Sequence, residues 1–143
     1  MVDRPWQSLL MVDEAVAQRW LDAYSRAWET YDPEAIGDLF TEDADYRFYP
    51  WAEGDEVVRG RQAIIESWLK DRDKPGTFTG EYRPLLVHAN TVIAVGVSRY
   101  YKDQSRKTLD REYHNLWVIE LDDAGKCRSY TEWYMRSKPA RQT

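Results

Sequence analysis

The sequence is poor in the residues that cross-link chains or hold metals. It has one cysteine, Cys127, and two histidines, His88 and His114. A lone cysteine excludes an intrachain disulfide and points to a reducing, cytoplasmic compartment. Two imidazoles and one thiol do not make a zinc site of the usual kind without several carboxylates, so no metal and no cofactor is expected. The apolar run Leu9–Val12 is too short for a signal-peptide core, and no stretch approaches membrane-spanning length. Positive charge is also in deficit, with 20 Lys and Arg against 25 Asp and Glu and a net charge of −5. That balance argues against nucleic acid as a partner. Glycines are scattered and form no phosphate-binding loop.

What the chain does have is aromatic surface. Seven Trp and ten Tyr stand among 143 residues, a length that suits one domain with one sizeable core. Large rings fill cores, and the polar tips of Tyr and Trp also suit the wall of a half-wet cavity.

The pattern predicts a single domain over 1–143, with its core at about 13–136. Residues 1–10 read as an arm that Trp6 would pin to the body. Val16, Trp20, Tyr24 and Trp28 recur every fourth residue and mark a helix from about Asp13 to Tyr31. Asp32-Pro33 restarts the chain, with Asp as cap and Pro at the first helical position of a short helix burying Ile36, Leu39 and Phe40. Residues 44–49 read as a strand and 51–58 as a loop. A third helix follows Gly60 and stops before Pro75-Gly76.

From Phe78 onward only strands are expected, at 78–88, 91–101, 108–121 and 127–136. Pro84 marks the first as an edge or a bulge. Helices must then segregate to one face of an α+β sheet. The stretch Leu116–Leu121 is apolar on both faces, which predicts that the other sheet face is covered as well, by a homodimer contact.

Two segments carry a family resemblance: YDPEAIGDLFTEDA at 31–44, followed by GRQAI at 60–64, and LDDAGK at 121–126, followed by TEWY at 131–134. In this order they resemble the nuclear transport factor 2-like superfamily, which includes ketosteroid isomerase, limonene epoxide hydrolase, scytalone dehydratase and the SnoaL-like polyketide cyclases. The resemblance runs from about Asp13 to Arg136. It implies a cone-shaped α+β barrel: three N-terminal helices on a strongly curved, mainly antiparallel sheet, with a mostly apolar pocket between them. It specifies a fold rather than a reaction, because this fold hosts many.

The resemblance also nominates site residues. Tyr24 stands eight residues before Asp32, the spacing at which ketosteroid isomerase keeps its oxyanion-donating tyrosine; the plainer reading is that Tyr24 only packs. Counted back from Gly125, His114 falls where that enzyme keeps its second donor. If strand parity runs the other way, Asn115 is the pocket residue instead, as in the dehydratase branch. The isomerase base falls on Phe48, whose ring abstracts no proton, so that steroid chemistry is not expected.

Glu132, in the final-strand pattern, is the remaining carboxylate where the epoxide hydrolase places a catalytic Asp. Arg99 matches that enzyme's Arg, but its Asp is replaced by Tyr101. Arg99 and Glu132 are thus also readable as a structural ion pair. Trp28, Phe48, Trp51 and Tyr130 complete the expected pocket wall. The resulting expectation is a pocket for a small apolar, ring-containing molecule, with Tyr24 and His114 polarising an oxygen and Glu132 moving a proton. The alternatives are a non-catalytic binding or stress-related module and a protein–protein adaptor.

Overall fold

The computed structural model of the protein describes residues 12–137; the arm read around Trp6 and the tail after Pro139 lie outside them. Helix α1 spans Glu14–Thr30. The Asp13 carboxylate accepts from the Val16 N–H at 2.8 Å and closes its first turn, a cap worth about 1 kcal/mol. Tyr31 ends the helix in the left-handed conformation, its N–H reaching the Ala27 carbonyl at 2.8 Å. Asp32 then caps the short helix α2, Pro33–Asp38, by accepting from the Glu34 N–H. Proline at the first helical position forfeits no bond, because that N–H has no partner inside a helix. Helix α3, Arg61–Lys70, follows Gly60.

The buried stripe of α1 is Ala17, Trp20, Leu21, Tyr24 and Ala27, with Val16 and Trp28 flanking it. Trp20 anchors the helix, because its indole N–H donates to the Leu39 carbonyl at 2.9 Å in the interior.

Six strands form one sheet in the order β2-β1-β6-β5-β4-β3. They are β1 Phe40–Arg47, β2 Val58–Arg59, β3 Phe78–His88, β4 Thr91–Tyr101, β5 Leu109–Leu121 and β6 Cys127–Arg136. All neighbours are antiparallel except β1 and β6. Strand β1 starts at Phe40, earlier than the hydrophobic pattern indicates. The cause is tertiary: the Cys127 N–H donates to the Leu39 carbonyl at 2.8 Å and pairs Phe40 with Cys127, after which the register shifts before resuming at Asp45. The polar run Thr41-Glu42-Asp43 occupies that irregularity. The stretch read as a loop runs at its end into β2, which pairs with Asp45 and Tyr46 of β1.

Pro84 lies on the edge strand β3, next to a register shift between Pro84 and Leu86. This is where a residue without an N–H does least harm to a ladder. Among the described residues no helix is long and apolar enough to cross a membrane.

Candidate functional site

Parity along β4, β5 and β6 decides which side chains meet. On β4 the residues facing the helices are Val92, Ala94, Gly96, Ser98 and Tyr100, most of them small. On β5 they are Tyr113, Asn115, Trp117, Ile119 and Leu121, and on β6 Tyr130, Glu132 and Tyr134. A cavity of about 230 Å³ opens among them, roofed by Tyr24 and Trp28 of α1 and bounded on one side by Tyr46 and Phe48. Pockets of this kind, mostly apolar with a few polar groups, are where small molecules bind.

Among the described residues, Glu132 is the one carboxylate in the cavity wall. The ladder places it directly opposite Trp117, and the indole N–H donates to its Oε1 at 3.0 Å. The carboxyl opens on the cavity but is otherwise enclosed by rings. Burial raises its pKa from 4.5 to about 7, opposed by the hydrogen bond from Trp117 and by the nearby Tyr130 hydroxyl. The group therefore exists in both protonation states near neutrality, the condition under which a carboxyl serves as general acid or base.

Tyr24 is buried and lines the same cavity. Its ring sits 4.6 Å from Trp117, 5.1 Å from Trp68 and 5.8 Å from Tyr82, so it packs and faces the void at once. Its hydroxyl lies 3.5 Å from that of Tyr46. Burial first, then the neighbouring Tyr46 and Glu132, holds its pKa well above the ordinary phenol value. Tyr24 is accordingly a neutral O–H donor at any working pH.

A second polar group lies on the opposite strands. Asn115 Nδ2 donates to Ser98 Oγ at 2.8 Å, and Ser98 Oγ shares a hydrogen bond of 2.5 Å with the Tyr82 hydroxyl. All three side chains are buried and face the cavity. Glycine makes the arrangement possible. A Cβ on Gly96 would stand 2.2 Å from the Glu81 carbonyl oxygen and 2.3 Å from Tyr82 Cδ1, and one on Gly80 would stand 2.7 Å from the Tyr82 hydroxyl. Only bare backbone there lets the Tyr82 ring lie across the sheet towards Ser98.

At the mouth, Tyr134 is half exposed and meets Tyr113 edge-on at 5.5 Å. The Arg111 guanidinium sits 4.2 Å over the Tyr100 ring and pairs with Asp73 at 3.0 Å. Asp73 also accepts from the Tyr31 hydroxyl at 3.0 Å, which ties the segment after α3 to the end of α1.

Several expected site residues stand elsewhere. His114 is on the outer face of β5, exposed, with its Nε2 3.0 Å from Glu112 Oε1. Asn115 occupies the inward position instead. Arg99 is outward too and pairs across the ladder with Glu112 at 2.8 Å rather than with Glu132. Trp51 is 72% exposed and stacks on Tyr49, outside the cavity.

Tyr130 is fully buried behind the wall, stacked on Tyr46 at 4.2 Å, and its hydroxyl makes no hydrogen bond of good geometry. Trp28 and Phe48 line the void, and Phe48 packs edge-on against Tyr46 at 4.8 Å. Sequence reasoning missed Tyr46, Tyr82, Ser98 and Trp117. The run of small residues alternating along β4 is the signal that marks where the void lies.

Comparison with known proteins agrees with this architecture. The SnoaL-like domain profile matches residues 21–130. A search of curated protein sequences gives no match. Among solved structures, the epoxide hydrolase/cyclase-like enzyme SalBIII, described in pyran ring formation in the polyether salinomycin, superposes with a TM-score of 0.64 at 22% identity, covering 86% of this chain and 93% of its own. An epoxide hydrolase from M. tuberculosis gives 0.59 at 14% identity, with coverage of 85% and 84%. A ketosteroid isomerase-like protein from Erwinia carotovora atroseptica gives 0.61 at 14%, with coverage of 85% and 95%. At these identities the structural likeness speaks for the cone fold alone. The profile spans well over half of the sequence, and on that ground the chain belongs to the SnoaL-like domain family.

Proposed function

We propose that the protein is a cofactor-free acid–base catalyst acting on a small, apolar, ring-containing molecule in the cytoplasm. The observation that carries this reading is Glu132: a single carboxyl, poised near neutrality, opening on an aromatic cavity and held in orientation by Trp117. In this reading Glu132 moves the proton, and the neutral Tyr24 hydroxyl stands beside the reacting region as a donor. Phe48 lies where a ketosteroid isomerase base would stand, so the chemistry favoured is hydration, dehydration, ring closure or ring opening rather than steroid isomerisation.

The experiment is product formation, followed by mass spectrometry, from a panel of cyclic epoxides, hydroxy-ketones and unsaturated cyclic ketones. Glu132→Gln should abolish turnover while the substrate still raises the melting temperature of the variant. Equal rates in wild type and Glu132→Gln would remove the assignment. Ligand-induced stabilisation without product across the panel favours the non-catalytic binding module.

We further propose that the outer sheet face is a homodimer contact. Val95, Leu116 and Trp133 stand side by side on three adjacent strands, with Leu116 and Trp133 exposed. Leu86 and Met135 extend the exposed apolar surface, and a contiguous patch of this kind marks an association site. Light scattering should give a dimer, and Leu116→Glu should give a monomer with an unchanged fold. A wild-type monomer at tens of micromolar would refute the contact.

A further inference from the structure

The Tyr82–Ser98–Asn115 group has more hydrogens to donate than the protein gives it partners. The amide and two hydroxyls carry four N–H and O–H hydrogens. The two hydrogen bonds that join them, at 2.8 and 2.5 Å, use two of these. Reversing the Asn115 amide does not change the balance. Ser98 would then donate to the amide oxygen, Tyr82 would donate to Ser98, and both amide hydrogens would remain. Among the described residues, no other side-chain hydrogen bond of the three absorbs the surplus donors, although the Tyr82 backbone carbonyl is taken by Gln18 Nε2 at 3.0 Å. Donors without acceptors in a buried site are costly. These three side chains are buried and face the cavity.

We propose that Tyr82, Ser98 and Asn115 form the oxygen-recognition site of the cavity, and that the ligand presents to them a neutral acceptor oxygen, a carbonyl or a cyclic ether, on its ring. This rests on the reading of the cavity as a ring-molecule site and adds which end of the molecule goes where. The acceptor is neutral for two reasons. The carboxyl of Glu132 shares the same void and repels a second carboxylate. The one cation in the wall among the described residues, Arg111, already pairs with Asp73 at 3.0 Å and Asp110 at 3.4 Å. The sheet fixes the geometry: Tyr82, Gly96 and Asn115 are one cross-strand row, Gly96 leaves its centre to the Tyr82 ring, and Ser98 meets the Tyr82 hydroxyl from the next row. Tyr82 also packs at 4.3 Å on Trp117, the residue that holds Glu132. The oxygen-binding end and the proton-moving end thus share one rigid indole, an arrangement suited to stabilising charge that develops on the bound oxygen.

The test uses 1-indanone and indane, the same ring with and without the oxygen, titrated against the whole protein by tryptophan fluorescence. Indanone should bind at least about fivefold tighter than indane, the worth of one net hydrogen bond. Its carbonyl infrared band should move to lower frequency on binding. Ser98→Ala and Tyr82→Phe should each bring the affinity ratio towards one and return the band towards its position in an apolar solvent. Glu132→Gln should leave both in place. Circular dichroism identifies variants that keep the fold, and Ser98→Ala, the smaller change, decides if Tyr82→Phe does not. Binding of both rings without discrimination, or a ratio unaltered in Ser98→Ala, overturns the oxygen site while leaving the ring-binding cavity standing. Failure of both rings to bind overturns the oxygen site and the ring-binding cavity together.

Discussion

Replacing Glu132 with Gln should change the slope of stability against pH, and the sign follows from the cavity. Burial raises the Glu132 pKa from 4.5 to about 7. The folded protein therefore keeps a proton that the unfolded chain releases earlier. Stability from this group is fully present below pH 4.5 and is lost as pH rises to about 7. The displacement, 7 minus 4.5, at about 1.4 kcal/mol per unit comes to about 3–4 kcal/mol. Water entering the cavity can solvate the carboxylate and trims this to about 2–3 kcal/mol. Gln keeps an oxygen to accept from the Trp117 indole and carries no charge, so the variant lacks the slope.

Urea unfolding of both proteins, followed by tryptophan fluorescence between pH 5 and pH 8, measures the difference directly. The stability of wild type minus that of Glu132→Gln should fall by about 2 kcal/mol across that window and level off above it. Carboxylates with the opposite tendency, such as Glu112, whose pKa is lowered first by its hydrogen bond from Arg99 and next by His114, act in both proteins and cancel. Parallel curves would show that Glu132 ionises like an exposed carboxyl, and would remove the physical basis for its acid–base role.

Other outcomes are checked more simply. Gly96→Ala should destabilise by more than about 3 kcal/mol in urea melts, because its Cβ meets backbone that cannot move aside. His114→Ala should leave ring binding unchanged and cost no more than about 1 kcal/mol, since it removes only an exposed contact to Glu112. Trp20→Phe should cost about 1 kcal/mol, measured by thermal unfolding, by removing the indole hydrogen bond to a Leu39 carbonyl that keeps its bond from the Cys127 N–H. Asp13→Ala should cost about 1 kcal/mol through loss of the first-turn cap of α1, again read by thermal unfolding.

The sequence alone determined the elements and much of their order. The four-residue spacing of Trp20, Tyr24 and Trp28 gave α1. Asp32-Pro33 set the break between helices, and Pro84 marked β3 as an edge or a bulge, because these signals act within a few residues of themselves. Tertiary structure decided the site. A side chain's face on a strand flips with each one-residue change in register, and the sheet shifts register near Pro84, Tyr100 and Glu120. Counting from a distant motif therefore left His114 and Asn115 as alternatives, and only the completed ladder turned Asn115 inward. Glu132 gained its raised pKa from rings on other elements. Tyr82 reached Ser98 only because Gly80 and Gly96 leave backbone bare beneath its ring. Those are contacts between residues far apart in the chain, and no local pattern encodes them.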